Sequence, residues 1–299
     1  MQIESIQDIL KIARSETRNR MAIAAADDKD VLLAAKAAWE KKVVHPVLVG
    51  NADKIAELAK EIDFNLKNIE VIDAATVDEA VDKCVAEVAG GRVQVLMKGQ
   101  VNTATFLRAV LNKQYGLRKG GLLSHVGLQF PKAYHKPIMI TDAALNVAPT
   151  LAEKMDIITN AVNVMHKLGV AKPRVAILAH NEIPTDKVPA SMEALQLKQM
   201  NAKGEIPNCI IDGPMALDVA ISKEACEHKG LQSAVGGNAD ILLCPEIISA
   251  NVLYKALVFF GHAKSASIIT GATVPIVVTS RSEDADTKLL SITLAVQVH

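Results

Sequence analysis

Val95-Leu-Met-Lys-Gly-Gln-Val-Asn-Thr-Ala-Thr-Phe-Leu-Arg108 decides the fold. A short apolar run ends at Lys98, Gly99 lets the backbone pass close to a neighbour, and a helical pattern begins at Thr103. Strand, tight turn and helix in that order form half of a crossover unit, the device that joins parallel strands. The same grammar recurs on both sides. Strands are expected at Pro46–Val49, Ile69–Ile72, Gly121–His125, Ile138–Thr141, Arg174–Ala179, Ile210–Asp212, Ile241–Cys244 and Val274–Thr279, with the opening one over Val93–Met97. Helical patterns lie between them, among them Lys29–Lys41, Ala52–Lys60, Val77–Ala89, Leu151–Leu168 and Ile248–Phe260. Alternation of this kind predicts an α/β chain, mainly parallel and covered on both faces. So many strands favour two three-layer α/β/α domains with a central cleft over one open sheet. The break is expected near Lys136, with the last segment returning to the first domain: 1–136 plus 273–299 in one, 137–272 in the other.

Composition narrows the function classes. Lys plus Arg and Asp plus Glu both number 33, so the formal charge is zero and a nucleic-acid footprint is not expected. Met1–Arg20 carries charges throughout and has no apolar core of a secretory signal. The longest uncharged stretch, Ser265–Ser280, is broken by Gly271 and Pro275, so no membrane span is expected and the chain reads as cytoplasmic. Cys84, Cys209, Cys226 and Cys244 form no CxxC pair and read as reduced, buried thiols; the histidines show no HxxxH or HExxH spacing, so no metal is expected. A Walker loop, GxGxxG and GxSxG are all missing.

Ligands of parallel sheets gather where strands end and helices begin. Three such junctions carry unusual residues. In Val274-Pro-Ile-Val-Val-Thr-Ser-Arg-Ser-Glu-Asp-Ala-Asp-Thr-Lys288, Ser280 and Arg281 fall between a strand and a helix. A hydroxyl, a guanidinium fork and exposed backbone amides suit a phosphate or carboxylate; the alternative is an ordinary polar turn with Asp284 or Asp286 as a helix cap. In the second, the strand ends at Lys98, Gly99 permits a close backbone approach and Thr103 starts a helix; Arg108, five residues on, either faces the cleft or is solvated surface. In the third, Ile138-Met-Ile-Thr-Asp-Ala-Ala-Leu-Asn146, Asp142 either orients an arginine or caps its own turn. His180, at another strand end, reads as a bystander. Chemistry alone stops at a cleft enzyme for an anionic small molecule.

At these residues the chain resembles the phosphate acetyl/butyryl-transferase family. The likeness is carried by Ala24-Ala-Ala-Asp-Asp28, Pro46-Val-Leu-Val-Gly50, Met97-Lys-Gly-Gln-Val-Asn-Thr103, Phe106-Leu-Arg-Ala109 and Thr141-Asp-Ala-Ala-Leu-Asn146. It continues through Asp212-Gly-Pro-Met-Ala-Leu-Asp218, Asn238-Ala-Asp-Ile-Leu242, Asn251-Val-Leu-Tyr-Lys255 and Gly271 to Thr279-Ser-Arg281. Ser-Arg-Ser-Glu at 280–283, where acetyl-transferring members continue Ser-Arg-Gly-Cys, points to the butyryl branch. Around Ala179-His-Asn-Glu182 the chain departs from both branches.

The resemblance implies reversible acyl transfer between CoA and inorganic phosphate, with acyl-CoA and phosphate as substrates and no cofactor. It implies a fold similar to isocitrate and isopropylmalate dehydrogenases, and a homodimer or larger homo-oligomer. Ser280, Arg281 and Asp286 (with Asp284 as rival) match its catalytic set; Arg108, Thr103, Lys98 and Asp142 are the expected phosphate and CoA contacts. Phosphate acetyl transfer, an NAD-dependent dehydrogenase of the same fold, and a non-catalytic acyl-CoA-binding paralogue are the alternatives. An acyl-cysteine route would call on Cys244.

Overall fold

The computed structural model describes Asp8, residues 19–279 and residues 284–299. In chain order its strands are β1 (Arg20–Ala24), β2 (His45–Gly50), β3 (Glu70–Asp73), β4 (Val95–Lys98), β5 (Ser124–Phe130), β6 (Ile138–Thr141), β7 (Arg174–Leu178), β8 (Ile210–Met215), β9 (Ile241–Leu243), β10 (Lys264–Thr270) and β11 (Ile276–Val277). Its helices are α1 (Lys29–Glu40), α2 (Ala52–Glu61), α3 (Val77–Ala89), α4 (Thr103–Val110), α5 (Leu151–Lys167), α6 (Pro189–Ala202), α7 (Leu217–Ile221), α8 (Lys223–His228), α9 (Ile247–Phe259) and α10 (Ala285–Val298). Among the described residues no helix is long and apolar enough to cross a membrane.

The chain divides into two compact units. In the first, residues 19–121 with Ala266–His299, the strand order is β3-β2-β1-β4-β11-β10. All pairs are parallel except β10 with β11, and Met97 is the partner of both Ile23 and Val277. Met21–Ala24 of β1 is wholly buried, as an inner strand covered on both faces must be. The second unit, Leu122–Ser265, orders its strands β5-β6-β9-β7-β8; β5 alone runs antiparallel.

Two strands escape the sequence reading. β1 is Arg-Met-Ala-Ile-Ala and β10 is Lys-Ser-Ala-Ser-Ile-Ile-Thr, rich in small residues of low β propensity, so burial and neighbours rather than composition make them strands. The expected unit boundaries also move. A break near Lys136 would cut the hairpin in which Gln129 pairs with Ile138, so that unit starts at Leu122. The return to the first unit comes at Ala266, before Thr273, because Ile269 on β10 pairs with Ile276 on β11.

Candidate active site

In the first unit β2, β1, β4 and β11 run parallel and so end on one edge. A helix starts after each of them. Asp28 caps α1 by accepting from the amides of Asp30 and Val31, and Asn51 caps α2 through Lys54 N. Asn102 caps α4 through Ala104 N at 2.8 Å, and Asp284 caps α10 through Thr287 N at 2.7 Å. Helix N-termini concentrate partial positive charge and unpaired amides, the chemistry that attracts phosphate. Three sequence stretches that carry the family likeness, those ending at Asp28, Gly50 and Thr103, thus converge on one edge, together with the described part of a fourth, through Thr279.

Gly99 shapes the middle of that edge. Its amide donates to Ala24 O at 2.8 Å, and the next amide, of Gln100, donates to Ala25 O at 2.9 Å. A Cβ at position 99 would lie 2.4 Å from each of those two carbonyl oxygens, so glycine is required by the close approach of backbones.

The expected site residues distribute unevenly over this edge. Lys98 ends β4 half-buried, and its Nζ donates to the carbonyls of Gly99 and Val101, both at 3.1 Å. It therefore ties down the loop that leads into α4. Thr103 is the exposed first residue of α4, beside the exposed cap Asn102. Arg108 is exposed in the last turn of α4 and makes no ion pair among the described residues. Five residues separate it from Thr103, about 7.5 Å along the axis. Ser280 and Arg281 lie outside the described residues; in sequence they directly follow Thr279, just beyond β11. Asp284 and Asp286 separate in role: the first is engaged as the cap of α10, while the second is exposed in its first turn.

The second unit supplies Asp142. This carboxylate is buried and its acceptor capacity is filled by its own surroundings. One oxygen accepts from Ala144 N and Leu145 N, both at 2.9 Å; the other accepts from His125 N at 3.0 Å and Asn146 Nδ2 at 2.6 Å. No arginine is among these partners. These bonds favour the turn-capping alternative: Asp142 holds its own loop in shape.

An apolar cavity of about 440 Å³ opens at the carboxyl ends of β7 and β9, bordered by Leu178, Ala190, Leu217, Cys244 and Leu253. His180 borders it from an exposed position. Burial, with Glu246 adding to it, pushes the Cys244 thiol up to about 12. The thiolate is the nucleophile, so this shift weighs against an acyl-cysteine intermediate there. The loop after β7 braces its surroundings, since Glu182 Oε1 accepts from Ala216 N and from Lys229 Nζ, each at 3.2 Å. Sequence reasoning missed the cavity because its lining comes from four separated stretches. It also missed Asn102 as the cap of α4, which the Asn-Thr pair before an apolar run does signal.

Comparison with known proteins gives a consistent result. The family model described as "Phosphate acetyl/butaryl transferase" matches residues 4–90 and 76–296. A phosphate butyryltransferase from Clostridium acetobutylicum is 39% identical over 296 residues, covering 99% of this chain and 98% of the relative. A phosphate acetyltransferase from Thermotoga maritima is 40% identical over 290 residues, covering 97% and 98%. Among solved structures, a branched-chain phosphotransacylase from Enterococcus faecalis V583 superposes with a TM-score of 0.83 at 32% identity, over 94% of this chain and 99% of that one.

Proposed function

The chain belongs to the phosphate acetyl/butyryl transferase family, and from that membership we propose how its residues move an acyl group between coenzyme A and inorganic phosphate. The chain is an acyltransferase, and the reaction is reversible: acyl-CoA plus phosphate gives acyl phosphate plus CoA. In the proposed route both substrates are bound together. A phosphate oxygen attacks the thioester carbonyl, the C–S bond breaks, and the departing thiolate takes up a proton.

Arg281, with Arg108, holds the phosphate; a guanidinium fork fixes direction as well as charge. Ser280 and neighbouring backbone amides stabilise the oxyanion that develops on the carbonyl. Loss of one such donor ordinarily costs about 100- to 1,000-fold in rate. Asp286 carries the proton to and from the thiol or orients Arg281, and the pH profile of Asp286→Asn separates the two roles. The observation that carries this reading is the parallel register of β11 with β4. It brings the exit of β11, where Ser280 and Arg281 follow in sequence, to the edge where α4 presents its amides.

The acyl group in this route is butyryl or a similar short chain, supported by the Ser-Arg-Ser-Glu run and by the relatives of the butyryl branch. Acetyl is the second reading, favoured by the equally similar acetyltransferase. No metal or redox cofactor is called for, CoA being a substrate. The architecture is read as two α/β/α domains about a central cleft, similar to isocitrate and isopropylmalate dehydrogenases, which the division into two compact units supports.

Self-association is proposed as well. α9 is apolar around most of its circumference, and Ile248, Val252, Phe259 and the following Phe260 are each more than half exposed. A helix of that kind is normally covered. Val252→Asp is expected to lower the mass measured by light scattering.

The function itself is tested by CoA release on mixing the protein with phosphate and a series of acyl-CoA thioesters, with a control lacking phosphate. Phosphate-dependent release supports the transferase, and the rates rank the acyl chains. Release without phosphate points to a thioesterase, and no release across the series overturns the reading.

A further inference from the structure

In the second unit, the amino ends of β6, β7 and β9 border a cavity of about 390 Å³, at the opposite edge of those strands from Cys244. Three charged residues line it: Lys136, Arg174 and Asp240. Asp240 is buried, and both of its oxygens are engaged by fixed donors. One accepts from Lys136 Nζ at 2.5 Å, the other from the backbone amide of Arg174 at 2.7 Å. Lys136 also donates to Asn238 O at 2.8 Å. Asp240 and Lys136 therefore neutralise one another.

Arg174 is left over. Its Nε is buried without a hydrogen-bond partner, and its guanidinium has no carboxylate partner among the described residues. Burial first, and the Arg174 charge in addition, push the Lys136 ammonium below its ordinary value against the pull of Asp240, so the two cations sense one another. The cavity thus holds one unbalanced positive charge and one buried donor without an acceptor, an arrangement that proteins seldom leave unfilled. His135 and Asn238 add polar atoms on one side, and the remaining wall is apolar. Leu128, Met165 and Leu168 are buried, and Val170 is half-buried at the rim.

We propose that this cavity is a second ligand site, apart from the acyl-transfer residues, for a monocarboxylate with an apolar tail. A carboxylate presents two coplanar acceptors to the guanidinium and brings the single negative charge that the cavity lacks. A phosphate dianion would exceed that charge and leave the apolar wall uncovered. The tail lies against Met165 and Leu168, so affinity grows with chain length. Burial of one methylene corresponds to roughly a threefold to fourfold gain.

The test is isothermal titration calorimetry on the full chain with acetate, butyrate, hexanoate, hexylamine and inorganic phosphate, each at saturating CoA to occupy the acyl-transfer site. The expected result is carboxylate binding that strengthens about threefold to fourfold per methylene and is absent for hexylamine. Arg174→Met should weaken it at least tenfold. Should that variant not fold, Val170→Trp, placed at the half-buried rim, fills the cavity and should abolish the same heat. No carboxylate heat at millimolar concentration overturns the proposal and leaves water as the partner of Arg174. So does hexanoate binding unchanged in the variants, or phosphate binding as tightly as hexanoate.

Discussion

After β4 the chain turns through Gly99 into a helix whose cap and first residue, Asn102 and Thr103, are exposed. After β6 it turns through Asp142, which is buried and accepts four hydrogen bonds from its own neighbourhood. Both are strand ends followed by small and polar residues. The first junction leaves helix amides and an exposed arginine for a ligand. In the second, the polar groups are satisfied by the protein itself. What separates a binding edge from a framing loop is thus where the acceptors and donors point once the backbone is in place, and mutations should respond differently at the two.

The largest response is expected at Gly99. Gly99→Val places side-chain carbon against two backbone carbonyls that cannot move without parting β1 from β4. Acyl transfer should fall at least 100-fold, with a midpoint of thermal unfolding about 5 °C lower, as for a core overpacking of about 3 kcal/mol. A variant with wild-type rate and midpoint would show that the close approach is dispensable.

Next comes Asp142→Ala, which orphans buried amides and should cost on the order of 3 kcal/mol, again read as a lower midpoint. KM for acyl-CoA and for phosphate should stay within about threefold. A large rise in either would return Asp142 to the substrate contacts. Arg108→Gln should do the converse: unchanged midpoint, with KM for phosphate raised about tenfold, the loss of one charge-assisted contact. Equal KM values would leave Arg108 as a solvated surface residue.

The smallest effect concerns His125, beside Asp142 on β5. Burial lowers its pKa, against the opposing pull of Asp142. The folded chain therefore resists protonation of this ring, while the unfolded chain protonates it below about pH 6.5. Its contribution is present above that value and is lost as pH falls. From pH 6.5 to 5.5 His125→Gln should lose less stability than the wild type, measured as thermal midpoints at each pH. Identical pH slopes would remove His125 as a source of the pH dependence.

Much of this was legible in the sequence because β-branched runs such as Pro46–Val49 and Arg174–Ala179 mark strands, and the glycine after Lys98 marks a tight turn; the run Val274–Thr279 pairs only over Ile276–Val277. β1 and β10 were hidden by Ala and Ser, whose place in an inner strand is set by the neighbours that bury them. The hairpin of β5 and β6 was hidden for another reason: antiparallel pairing is a property of two segments taken together, not of either one. Spacing pointed at Asp142 but not at the direction of its lone pairs, which only the folded loop determines. The charge balance of Lys136, Arg174 and Asp240 joins residues a hundred positions apart, and no local motif records it.

The most direct test of the central claim compares wild type with Arg281→Ala for phosphate-dependent CoA release from butyryl-CoA, with the thermal midpoint as a folding control. The account predicts kcat/KM for phosphate reduced about 100-fold or more at an unchanged midpoint. Wild-type phosphate dependence in a folded Arg281→Ala variant would contradict it.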